Sequence, residues 1–169
     1  MALPRKLKNF NLFNNGESYA GVVPELTLPK LSRKMEDYQA GGMSGPVKID
    51  QGQEAIQFEW TAGGFLKTAL QQYGALKHDA VMLRFAGAYR AEDATTHDSI
   101  EVIVRGRHQE IDMGSAKLKD DTAHKFTTVA SYYKLSVNNS AIIELDFVNM
   151  IEIVNGVDLL QDLRTAIGL

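Results

Sequence analysis

Asp98-Ser-Ile-Glu-Val-Ile-Val-Arg-Gly-Arg-His-Gln-Glu-Ile-Asp112 decides how this chain folds, together with the two runs that follow it, His124 to Val137 and Ser140 to Phe147. In the first, Ile100, Val102 and Val104 point one way, and Glu101, Ile103 and Arg105 the other. In the second, Val129, Tyr133, Leu135 and Val137 are expected to share a side. In the third, Ala141, Ile143, Leu145 and Phe147 oppose Ile142, Glu144 and Asp146. Period-two patterning over such lengths predicts long antiparallel strands, with Asn138-Asn139 as the turn of a hairpin. A ten-residue strand reaches roughly 33 Å at ~3.3 Å per residue.

Outward from this block, Val81, Leu83, Phe85 and Tyr89 alternate with Met82, Arg84 and Arg90, which predicts a further strand. Leu66, Ala69, Leu70 and Tyr73 recur at helical spacing, with Gly74 as the stop and Thr61 placed to cap the start. Ile56, Phe58 and Trp60 form a core strand. Asn155-Gly156 reads as a turn, and Asp158 is placed to cap a last short helix carrying Leu159, Leu160, Leu163 and Ile167, with Gly168 near its end. Pro24 and Pro29 predict that the strands of 19–31 lie at a sheet edge or end at those positions, because proline cannot donate to a ladder. Residues 1–16 read as an extended arm with Phe10, Leu12 and Phe13 as apolar anchors.

Between these lies a long hairpin over 34–52, whose tip Ala40-Gly-Gly-Met-Ser-Gly-Pro46 holds three glycines in seven residues. Such a tip buries too little surface to order itself and is expected to order on docking. The reading is one mainly-β domain over 1–169, with one or two helices on its face.

Composition excludes several function classes. The 169 residues suit one domain, and 44% hydrophobic with 23% charged residues supports a real core. A net charge of −3 gives no basic footprint for nucleic acid and no polybasic membrane anchor. The absence of cysteine removes disulfides and thiolate metal sites. His78, His97, His108 and His124 show no metal-ligand spacing and read as exposed strand or loop residues. His97-Asp98-Ser99 places the three triad residue types in a row, but triads assemble in space, and neighbouring strand residues face opposite ways. The glycine-rich tip is no phosphate cradle, since Pro46 leads into a strand. Arg84, Arg90, Arg105 and Arg107 are interspersed with acids, which suits a mixed solvated face. No catalytic residue, cofactor site or metal site is expected, and the chain does not read as an enzyme. What remains is a set of long strands whose edges invite another copy to pair.

Leu26-Thr-Leu-Pro-Lys-Leu31 and the run from Tyr38 to Ala55 resemble the major tail tube proteins of contractile-tailed bacteriophages and the tube subunits of R-type tailocins. Asn11-Leu-Phe13, Gly16, Tyr19-Ala-Gly21, His124-Lys125, Ser131 to Leu135 and Asn155-Gly-Val-Asp158 extend the resemblance over nearly the whole chain in order. The stretch 91–122 matches only loosely. The resemblance implies an antiparallel β-sandwich or barrel, shared with type VI secretion tubes. It also implies subunits that form sixfold rings, stacked into a hollow tube inside a contractile sheath. Implied partners are further copies of the chain, the sheath, baseplate, tail terminator and tape measure proteins, and DNA passing without specific binding. Assembly would occur in the bacterial host cytoplasm, and the product would be a virion tail or tailocin particle. In this frame Gly41, Gly42, Met43, Gly45 and Pro46 are candidates for contact between rings, and Glu144 and Asp146 for lining the lumen. Two other readings are a type VI tube component and a small β-barrel ligand-binding module.

Overall fold

The computed structural model describes residues 2–169. The strands are β1 (Lys6–Asn14), β2 (Glu17–Ser18), β3 (Glu25–Thr27), β4 (Arg33–Tyr38), β5 (Val47–Gln53), β6 (Ile56–Ala62), β7 (Val81–Arg90), β8 (Asp98–Asp112), β9 (His124–Val137), β10 (Ser140–Asp146), β11 (Ile151–Val154) and β12 (Val157–Asp158). The helices are α1 (Lys67–Gln71), continued by a 3-10 turn at Gln72–Gly74, and α2 (Gln161–Ile167).

Ten strands form one antiparallel sheet, ordered β12-β11-β10-β9-β8-β7-β1-β2, with β3 and β6 branching from β9. The long strand β9 divides its free edge: residues 124–130 pair with β6, and residues 132–137 pair with β10. On its other edge β8 follows it along the whole length. The sheet curls until its ends meet, where Gly63 N–H donates to Val22 C=O at 2.8 Å and Tyr19 packs on Trp60 at 5.6 Å between ring centroids. The result is barrel-like, with β10-β11-β12 as a flap.

Two rows of paired residues show how the alternation builds the core. Leu12, Phe85, Val102, Leu135, Ile143 and Val154 lie side by side across six strands. The next inward row is Asn14, Leu83, Val104, Tyr133, Leu145 and Glu152, all buried. Its middle is almost wholly apolar, and its two polar residues stand at the ends, each with a partner. Asn14 meets Gln72, and Glu152 pairs with Arg33. Trp60 stacks on Phe126 at 4.2 Å, and Phe58, Ile56 and Ala62 complete the interior from β6. Each buried aromatic removes more area from water than any aliphatic side chain in the core.

Five expectations need correcting. Ala141 does not share a side with Ile143, because Ile142 is an extra residue at that step of β10. Residues 6–14 are no free arm: β1 pairs with β7, and Leu12 is fully buried. Val129 does not share a side with Tyr133 and Leu135. Ser131 is an extra residue opposite the Arg105–Gly106 step, and this bulge changes the parity, so Phe126, Thr128 and Ala130 face inward before it and Tyr133 after it. Thr61 lies within β6, and α1 begins after Leu66 with no side-chain cap. Asp158 precedes the N-cap of α2, Leu160; its carboxylate accepts the Leu160 N–H and pairs with Arg164, whose guanidinium holds the carboxyl below its ordinary range. The left-handed Gly168 (φ 84°) does close α2.

Candidate functional site: the projecting hairpin and the outer sheet face

The hairpin β4–β5 forms its own two-stranded sheet. Met35 pairs with Asp50, Glu36 with Ile49, Asp37 with Lys48 and Tyr38 with Val47. Opposed residues share a face, so one side carries Arg33, Met35, Asp37, Lys48 and Asp50, while the other carries Lys34, Glu36, Tyr38, Val47 and Ile49. Both sides are exposed beyond the base. A bulge at Gln51-Gly52 kinks β5 where it joins the barrel, with Gly52 in the left-handed region (φ 105°) and its N–H donating to Asp50 Oδ1.

The base is clamped. Arg33 reaches Asp50 at 2.9 Å and, with its other amino group, the buried carboxylate of Glu152 in β11. Gln53 Nε2 donates to Ser32 C=O. Beside the clamp lies a cleft of about 450 Å³ lined by Leu145, Phe147, Met150, Ile151 and Leu160 together with Arg33, Asp50 and Glu152.

At the tip, Gly41, Gly42, Met43, Gly45 and Pro46 come together as expected from their adjacency, but as a closed turn. Met43 N–H donates to Ala40 C=O at 3.2 Å, Ala40 N–H points at Met43 Sδ, and Gln39 Nε2 reaches Met43 C=O. Gly42 takes the left-handed conformation (φ 86°) that this turn requires. The tip therefore has its own hydrogen bonds, which the glycine content did not suggest, and Met43 folds back to cover it.

The outward face of the large sheet holds Glu144 and Asp146. Across the strands Phe13, Arg84, Ile103, Lys134, Glu144 and Ile153 form one row, and Met82, Arg105, Tyr132, Asp146 and Ile151 another. In these rows the cations Arg84, Arg105 and Lys134 stand on β7, β8 and β9, and the acids Glu144 and Asp146 stand together on β10. Arg84 pairs with Glu101 at 2.9 Å and lies over the Phe13 ring at 4.1 Å. Arg105 lies over Tyr132 at 5.0 Å, and Tyr132 O–H donates to Glu144 at 2.8 Å. Burial, and then this bond, push the Tyr132 hydroxyl up to about 12, so it remains a donor. Asp146 is turned along the chain: it accepts the N–H groups of Val148 and Asn149 and the Asn149 amide, holding the β10–β11 turn.

The histidines also need correcting. His108 and His124 are buried. His108 Nδ1 lies 2.9 Å from Thr128 Oγ1, and Nε2 3.2 Å from Gln72 Oε1. Gln72 exchanges hydrogen bonds with Asn14, Asn14 donates to Tyr19 O–H, and Tyr19 meets Thr68. This chain of side chains fastens α1 and its 3-10 turn to the sheet. Burial lowers the His108 pKa to about 4, so the ring is neutral at pH 7. The inward parity of His108, four residues after Val104, was its only signal. Among the described residues no three metal-binding side chains come together, and no helix is long and apolar enough to cross a membrane.

A curled antiparallel sheet with a clamped, projecting hairpin that leaves Tyr38, Val47 and Ile49 exposed defines a β-barrel-like class. The chain belongs to the phage tail tube protein FII family, whose model matches residues 4–168. It is 45% identical to the tail tube protein of Escherichia phage P2 over 172 aligned positions spanning all of both chains. It is 41% identical to the major tail tube protein of Serratia phage KSP20, covering 100% of this chain and 99% of that one. The fold is shared with the sheath/tube terminator of an extracellular contractile injection system in its extended state (TM-score 0.60, 13% identity, 79% of this chain and 96% of that chain). It is likewise shared with the tube-terminating cap of the anti-feeding prophage (TM-score 0.60, 12% identity, 80% and 93%).

Proposed function

We propose that this tail tube protein self-assembles into sixfold rings that stack as the hollow inner tube of a contractile tail or tailocin, the conduit for DNA or for envelope puncture. The observation that carries this is the hairpin, which leaves the barrel from a clamped base and, among the described residues, keeps Tyr38, Val47 and Ile49 exposed. A head-to-tail contact made by such a finger repeats from copy to copy, closing into rings by rotation and growing into a filament by translation. Gly41, Gly42, Met43, Gly45 and Pro46 make the contact between rings. The outward sheet face with Glu144 and Asp146 lines the bore, where Glu101, Glu144 and Asp146 balance Arg84, Arg105 and Lys134 and leave a passing polyanion no net cationic surface to bind. The sheath surrounds the tube, the baseplate and terminator close its ends, the tape measure protein occupies it during assembly in the host cytoplasm, and the chain catalyses no reaction. Electron microscopy of the purified protein tests the reading: stacked rings or hollow tubes are expected, and a chain that stays monomeric at high concentration overturns it.

A further inference from the structure

The short helix α2 covers nothing. It has no buried residue: Leu163 and Ile167, spaced at i and i+4, remain 49% and 57% exposed, and Leu159, in the turn just before the N-cap Leu160, remains 53% exposed beside them. Its inward side is used only by Arg164, which ties Asp158 to Met150 C=O, and by Leu160 in the cleft beside the hairpin base. A seven-residue helix is too short to be stable by propensity alone. Yet it is closed by a left-handed glycine and fixed by an ion pair, so the fold invests in presenting this apolar stripe.

The hairpin offers the matching surface. From Tyr38 through Val47 there is no charged residue. Tyr38 and Val47 face each other as a rung, both 54% exposed, and Ile49 follows on the same side. The only charges on that side, Lys34 and Glu36, lie 3.6 Å apart and compensate each other near the base. The stripe on α2 is equally uncharged. Two apolar, charge-free surfaces on one water-exposed chain are costly to leave apart and cost nothing in unpaired ions when brought together.

We infer that the occupant of the α2 stripe is the hairpin of a second copy: Tyr38, Val47 and Ile49 of one subunit dock on Leu159, Leu163 and Ile167 of another. This rests on the tube reading and names the receiving surface for its finger. The contact is heterologous, so every copy both gives and receives, and growth is open-ended. The Arg33–Glu152 clamp sets the angle at which the finger arrives.

The absence of native cysteine makes the test clean. The double variant Val47→Cys/Leu163→Cys is assembled, oxidised and run under denaturing conditions. Expected is a ladder of covalent multimers, lost on reduction and absent from either single variant. Tubes that form normally but yield no ladder, or only cross-links within one chain, overturn the docking while leaving the tube reading intact. No rings or tubes from the unmodified protein overturns both. If the double variant misfolds, Leu163→Asp serves instead: folded by circular dichroism, it should lose at least tenfold in tube yield, and unchanged yield overturns the docking.

Discussion

At Gly106 the backbones of β8 and β9 come so close that a Cβ would stand 1.9 Å from Val129 O. The obstruction is main chain at a bulge and cannot rotate away. At Gly87 the atoms met are ring carbons of Phe85 and Tyr89 at 2.7–2.9 Å, which tilt. Gly106→Ala should therefore cost more than about 3 kcal/mol and Gly87→Ala clearly less, read from urea denaturation midpoints; equal losses would contradict this reading of the bulge. His108 makes a second prediction. Its folded pKa is about 4 against an ordinary 6.5, so the unfolded chain binds the extra proton first. Its contribution is fully present above pH 6.5 and falls as the pH drops towards 4, by at most about 3 kcal/mol. Unfolding free energies measured across that window should fall for the native protein and fall less for His108→Gln. The sequence reading took His108 as exposed, although it shares parity with Val104; its partners Thr128 and Gln72 come from two other elements and leave no local pattern.

At the scale of elements, the hairpin was legible because Tyr38 and Val47 flank a glycine- and proline-rich turn. Its clamp was not, because Arg33 and Glu152 are far apart in sequence and ordinary in composition. Arg33→Met strands a buried carboxylate and should destabilise by about 2 kcal/mol, discounted because Arg33 is one-third exposed. Adding Glu152→Leu should recover most of that loss, which a thermal double-mutant cycle will show. Deleting residues 41–45 should leave the barrel's unfolding midpoint nearly unchanged, since no core residue belongs to the tip, yet abolish ring stacking. Tubes of normal length from that deletion would reject the tip as the contact between rings. The strand boundaries of β7 to β10 followed from alternation almost residue by residue. The side assignment in β9 failed at Ser131, because an inserted residue is invisible to a period-two count until its partner strand is known.

For the whole molecule, the mainly-β class and the assembly role were readable from long strands, from missing chemistry and from resemblance along the chain. Curling of the sheet was expected from the resemblance alone; the alternation could not give it, because it depends on long-range contacts between Tyr19 and Trp60 and between Val22 and Gly63. In the assembled tube, Glu144→Lys with Asp146→Lys turns a charge-balanced face cationic and should slow DNA passage most at low salt. Unchanged ejection kinetics would place that face away from the bore. Because Asp146 also holds the β10–β11 turn, Glu144→Lys alone is the cleaner comparison.

The shared strand β9 has a mechanical consequence. One continuous backbone is hydrogen-bonded to β8 along its length, to β6 over one half and to β10 over the other. No cleavage plane separates the barrel from its flap, and a pull along β9 loads many bonds in shear at once instead of unzipping them singly. A tube built from such copies would then fail under load at joints between copies before any single copy ruptures.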